Sequence, residues 1–202
     1  MLGAPGAGKG TQGKSISQKL EIPHISTGSM FREMYESKNP LGVEAAEKYW
    51  LNGTLVPDDL TIKLVKETLS SEKCKRGFIL DGFPRTIPQA NALGGMTEID
   101  HVIYLDVLNY ILGDRLSSRR QCKKCDAIYG AANLPSGGIC GCGGELYQRD
   151  DDSPQRISRR LNEYKVKTEP LVDYYMHRGK LRIISGEGDA NTVLEDILHE
   201  LG

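Results

Sequence analysis

The chain has 202 residues, an apolar fraction of 39% and a formal net charge of −1, the profile of an ordinary water-soluble domain able to bury a core. No basic run interleaved with aromatics points to nucleic acid. No apolar stretch approaches the length of a membrane span, and no leader precedes the first motif, so a cytoplasmic location is expected.

In chain order, the first feature is MLGAPGAGKGT, Met1 to Thr11. Glycines at 3, 6, 8 and 10 let the backbone aim successive amides at one point, a cradle suited to a polyphosphate. Lys9 supplies a mobile cation for β- and γ-phosphates, and Thr11 a hydroxyl near a magnesium ion. Gly10 follows the lysine, so the hydroxyl comes one residue later than in the common nucleotide loop. Only Met1 and Leu2 precede the loop, which predicts a first strand cut short.

Gln12 to Leu20 carries Ile16 and Leu20 four apart and predicts the helix after the loop. STGSMFRE, Ser26 to Glu33, reads as a helix start presenting Thr27 and Arg32. Asp58 and Asp59 open another helix, where acids in the first turn suit the dipole, with Leu60, Leu64, Val65 and Leu69 as its apolar stripe. Phe78 to Leu80, Val102 to Leu105 and Leu181 to Ile184 predict buried parallel strands between helices, hence an α/β fold. Arg156 to Leu171 predicts one long polar helix, and Thr192 to Leu201 a terminal one facing inward through Val193, Ile197 and Leu201.

Two further segments carry chemistry. DGFPRT, Asp81 to Thr86, follows a strand, so Asp81 sits where open α/β sheets bind ligands. There Asp81 suits a magnesium ion through water and Arg85 a phosphate, against the plainer reading of a Gly-Pro turn. Cys122 and Cys125 form a C-x-x-C and Cys140 and Cys142 a C-x-C, a donor set for a structural zinc rather than disulfides. A reduced thiol cluster and a redox pair are the alternatives. Cys74, between Lys73 and Lys75, reads as an ordinary residue.

GAPGAGKGTQ, STGxMFR, DGFPRTxxQ and QRDDD, in this order over nearly the whole chain, resemble the adenylate kinases. The resemblance implies a doubly wound five-strand parallel core (1–26, 57–117 and 153–202), an AMP-binding insert (27–56) and a lid over ATP (118–152). It implies reversible, magnesium-dependent transfer between ATP and AMP to give two ADP, by a monomer. ATP would meet Gly6, Ala7, Gly8, Lys9, Gly10, Thr11, Arg115, Arg119, Ile128, Tyr129 and Gly188. AMP would meet Thr27, Arg32, Thr54, Leu55, Val56, Gly82, Phe83, Pro84, Arg85, Gln89, Arg149 and Arg160. Lys9, Asp81, Arg85, Arg119, Arg149 and Arg160 would serve the transfer, with Asp150 to Asp152 as competitors for the lid arginines. The resemblance also includes members with a cysteine zinc site in the lid.

Ser29 replaces the usual acid of the TG-acid pattern, and Ser118 a glycine between Arg115 and Arg119. Two other readings stay open on the residues. One is a UMP/CMP kinase, whose family usually shows alanine where Thr27 stands and lacks a cysteine lid. The other is a non-catalytic nucleotide sensor.

Overall fold

The computed structural model describes residues 1–202. Parallel strands in two ladders form the centre. β1 (Leu2–Gly3) pairs with β4 (Val102–Asp106), which pairs with β8 (Leu181–Ser185); β2 (His24–Ser26) pairs with β3 (Ile79–Asp81). The expected single five-strand sheet is therefore two ladders, one of three strands and one of two. β1 has only two residues, so toward β3 it offers a single bond, from the Met1 amino group to the Leu80 carbonyl at 2.8 Å.

Helices cover both faces. α1 (Lys9–Leu20), α6 (Asn109–Ser118) and α9 (Ala190–Leu201) bury Ile16, Leu112, Val193 and Ile197 against Ile103, Leu105 and Ile184. α4 (Asp58–Leu69), α5 (Ile87–Gly94) and α8 (Leu171–Met176) lie over the other side, burying Val65, Leu93, Ala90 and Leu171. On α4 the fully buried positions are Thr61 and Val65, with Leu60 and Leu64 half-buried toward the insert. α1 begins at Lys9 rather than Gln12, because Gly8 adopts the left-handed conformation (φ 98°) that turns the loop directly into the helix.

The expected long helix from Arg156 to Leu171 is broken. α7 (Pro154–Glu163) gives way to a π-helical turn at Tyr164–Thr168, and α8 starts only after Pro170, which lacks the amide a continuing helix needs. Thr168 in that turn is buried and donates to the Arg85 carbonyl at 2.8 Å.

Two inserts rise from the C-terminal edge of the strands. The first holds α2 (Thr27–Glu36) and α3 (Pro40–Lys48) around a small core of Phe31, Ala45 and Val56. The second is an antiparallel sheet of β5 (Arg120–Cys122) flanked by β6 (Ile128–Tyr129) and β7 (Leu146–Tyr147). Both inserts fold inward. Lys14 of α1 donates to the Cys125 carbonyl at 2.9 Å, and the Leu55 amide reaches Glu163 Oε1 at 3.3 Å.

Candidate active site

The inward fold encloses a cavity of about 1090 Å3 along the C-terminal ends of β1, β2 and β3. Its wall carries nine Lys and Arg side chains against five Asp and Glu, although the whole chain is slightly acidic. Every residue expected at a nucleotide from the sequence lines it except Phe83. That ring is 1% exposed and packs with Leu80, Val65 and Leu93, because the sheet needs an apolar residue there.

Lys9 Nζ lies against the Gly3 and Ala4 carbonyls at 2.7 and 2.8 Å. Burial pushes its pKa down to about 8, with Asp81 opposing the shift. Asp81 ends β3 inside the same wall. Burial alone would push its carboxyl up, but His24 and the Lys9 ammonium outweigh that and hold it well below the usual range. His24 Nε2 stands 3.6 Å from Asp81 Oδ2. It fits there because α1 has glycine at 13, where a Cβ would come within 2.6 Å of that nitrogen.

The arginines are held in two ways. Arg119 makes two parallel bonds to the Asp152 carboxylate (Nε–Oδ2 2.8 Å, Nη2–Oδ1 2.6 Å). Arg160 Nη1 joins the same carboxylate at 2.8 Å and Asp151 Oδ2 at 3.1 Å. The Asp152 side chain is completely buried and those of Arg119 and Arg160 are 12% and 17% exposed, so solvent screens this cluster weakly. Asp151 is held below the ordinary carboxylate value: burial pushes it up, and Arg160, Arg149 and Arg119 pull it down further. Arg149, bonded to Gln121 Oε1, is forced down to about 9, first by burial and then by the charges of Arg119 and Arg32.

Arg32 rests on Ser29 Oγ at 3.1 Å, so the serine that departs from the family pattern still braces it, by a neutral acceptor. Ser118 bonds back to the Asp114 carbonyl at 2.7 Å and closes α6 just before Arg119. Arg85 Nε donates to the Gly82 carbonyl at 2.8 Å, which also accepts Thr27 Oγ1 at 2.9 Å.

The four cysteines meet in the lid. Their sulfurs all lie within 4.8 Å of one another, with 3.5 Å between Cys122 and Cys142 and 3.6 Å between Cys125 and Cys140. Four thiolates at ~2.3 Å from a tetrahedral zinc stand ~3.8 Å apart, so the donor set fits such an ion. Gly144 permits the approach, since a Cβ there would meet Cys122 Sγ at 2.6 Å. The Tyr129 hydroxyl is 3.1 Å from Cys140 Sγ. Lys124 donates its amide to Cys122 Sγ and its Nζ to the Cys142 carbonyl, both at 3.3 Å, whereas Lys123 pairs with Glu145.

Sequence reasoning missed His24, Gln121 and Thr168. None lies in a recognisable motif; each acquires its partner from a distant segment.

The adenylate kinase family model matches residues 1–180. Among curated relatives, adenylate kinases of Lachnoclostridium phytofermentans and Bacillus subtilis are each 46% identical, covering 100% of this chain and 96% of their own length. That of Thermosipho africanus is 46% identical over 98% of the chain and 96% of the relative.

Asp152→Ala leaves Arg119 without its buried counter-charge and Arg160 with Asp151 alone, which costs about 3 kcal/mol. Thermal unfolding should show the midpoint falling by roughly 10 °C. A midpoint within a degree or so of wild type would mean that the cluster behaves like an exposed ion pair.

Proposed function

Because this chain belongs to the adenylate kinase family and is a phosphotransferase of the nucleoside monophosphate kinase class, we propose that its one large cavity seats ATP and AMP together and transfers a phosphoryl group between them to give two ADP. The observation that carries this reading is the excess of cations in the cavity wall: nine Lys and Arg side chains against five acids.

The glycine loop with Lys9 faces the donor triphosphate, and Arg32, Arg85 and Thr27 the acceptor monophosphate. Arg119, Arg149 and Arg160 lie between lid and core, where charge on the transferred group develops. Phosphoryl transfer passes through a loose transition state with charge on its equatorial oxygens, so catalysis is positioning plus electrostatics and needs no strong base. Asp151 and Asp152 hold the arginines in place and limit their mutual repulsion. Lid residues 118–152 and insert residues 27–56 exclude water. That strengthens each charge contact and denies the phosphoryl group to hydrolysis.

Magnesium accompanying ATP neutralises part of the phosphate charge. Asp81, kept ionised at the end of β3, and Thr11 at the start of α1 would hold it. Zinc on Cys122, Cys125, Cys140 and Cys142 is structural, because four sulfurs leave no open position for chemistry. Only Ile128, Tyr129, Leu134 and Ile139 are sizeable apolar residues between the pairs, so the metal supplies the ordering free energy.

A coupled assay with ATP should favour AMP over UMP and CMP in kcat/KM; a ratio reversed toward either pyrimidine nucleotide sinks the assignment. Arg149→Ala should lower kcat by roughly 10²–10³-fold, the loss expected on removing one donor that stabilises transition-state charge. An unchanged kcat would place Arg149 outside the reacting region. Metal analysis of freshly purified protein should find one zinc per chain, and its removal by a chelator should lower the melting temperature while ATP still binds at the glycine loop. A metal-free preparation of undiminished stability would refute the structural zinc.

A further inference from the structure

The Gln89 side chain, 2% exposed and in the cavity wall, is bonded on both sides by groups of opposite kind. Its Oε1 accepts the Arg85 amide at 2.7 Å, and its Nε2 donates to Asp58 Oδ1 at 2.7 Å. The other oxygen of Asp58 accepts Thr86 Oγ1 at 2.9 Å. Thr86 caps α5, accepting the Gln89 backbone amide at 3.2 Å. A backbone N–H can only donate and a carboxylate can only accept, so the chemistry of these partners permits one amide orientation.

We infer that Asp58 is a specificity-determining positioning residue, which selects adenine over 6-oxopurines by locking the orientation of the Gln89 amide. The inference rests on the reading that Gln89 meets the base of the monophosphate. Asp58 itself lies behind the cavity wall and does not line it. A carboxamide has two N–H donors and an oxygen with two lone pairs, so after Asp58 and Arg85 are served, one donor and one lone pair remain. Adenine presents an exocyclic amino donor beside a ring-nitrogen acceptor, which pairs with that remainder. Hypoxanthine and guanine present a carbonyl acceptor beside a ring N–H at the same edge, and would need the amide reversed. Reversal would set Gln89 Oε1 against a carboxylate and Nε2 against an N–H, two repulsive contacts in a buried place. A site that leaves buried polar groups mismatched rejects the wrong ligand strongly. The sequence shows Asp58 only as an acid at a helix start; its contacts with Thr86 and Gln89 span 28 and 31 residues.

The test compares kcat/KM for AMP and IMP with saturating ATP in wild type, Asp58→Asn and Gln89→Ala. Asparagine keeps the shape of Asp58 but adds a donor, so it removes one of the two contacts that oppose a reversed amide, while the Arg85 amide keeps the other. The AMP-to-IMP preference of Asp58→Asn should fall at least about tenfold, with IMP turnover rising in absolute terms and KM for ATP unchanged. An equal loss for both nucleotides, with the ratio intact, would show a merely structural role and overturn the inference. Gln89→Ala separates the two layers. If its ratio falls while that of Asp58→Asn does not, Asp58 is excluded and base contact by Gln89 stands. If the Gln89→Ala ratio is itself unchanged, the base-contact reading fails and the inference with it. A measurement on wild-type protein needs no variant to fold: side-chain amide NMR should show one Gln89 Nε2 proton slow to exchange. Two equally fast protons would contradict the lock.

Discussion

Concentrating like charge in a closed space governs the rest of this structure. Lys9, Arg32, Arg85, Arg119, Arg149 and Arg160 face one cavity, and each loses hydration on burial. The effect is visible in Lys9 and Arg149, driven down to about 8 and about 9 by burial and by neighbouring cations. Left alone, such a cluster would push the lid and the insert apart. Asp152 counters this by joining Arg119 of the lid to Arg160 of α7 through one buried carboxylate, with Asp151 alongside. The residual positive charge suits a polyphosphate, and a carboxylate-neutralised wall would not.

Placement of these charges depends on strand ends and short polar networks more than on bulk packing. β1, β2 and β3 deliver the glycine loop, Thr27 and Asp81 to the same edge. From there, Arg85 is pinned through its backbone: its amide by Gln89 and its carbonyl by Thr168 of the π-helical turn. The guanidinium is thereby aimed while its charge stays available, because the anchoring bonds use main-chain atoms. Asp81 shows the same economy, its charge kept by His24 and Lys9 without a direct arginine partner.

The second insert is built differently. It is poor in apolar residues and gathers instead four sulfurs and three short strands. Tyr129 touches both that cluster and the large cavity, so the four sulfurs stand directly behind the cavity wall. The contact from Lys14 to the Cys125 carbonyl brings the same insert onto the glycine-loop helix.

Much of this was legible in the residues alone. Glycine spacing, Asp81 after a strand and paired cysteines are local signals, because the chemistry they serve acts within a few residues of the backbone. The α/β alternation was legible for the same reason: strand and helix periodicities are short-range. What tertiary structure alone decided involves partners far apart in sequence. Phe83 sits within a binding motif yet turns into the core, since the sheet beneath it required an apolar filling. The single five-strand sheet became two ladders because a two-residue strand supplies too few amides to join them. The long helix broke at Tyr164–Thr168, where Thr168 bonds to Arg85 from 83 residues away. Asp58 read as a helix-dipole acid until the fold set Thr86 and Gln89 against its oxygens. Hydrogen bonds specify atoms rather than periodicities, and only the assembled fold brings those atoms within reach.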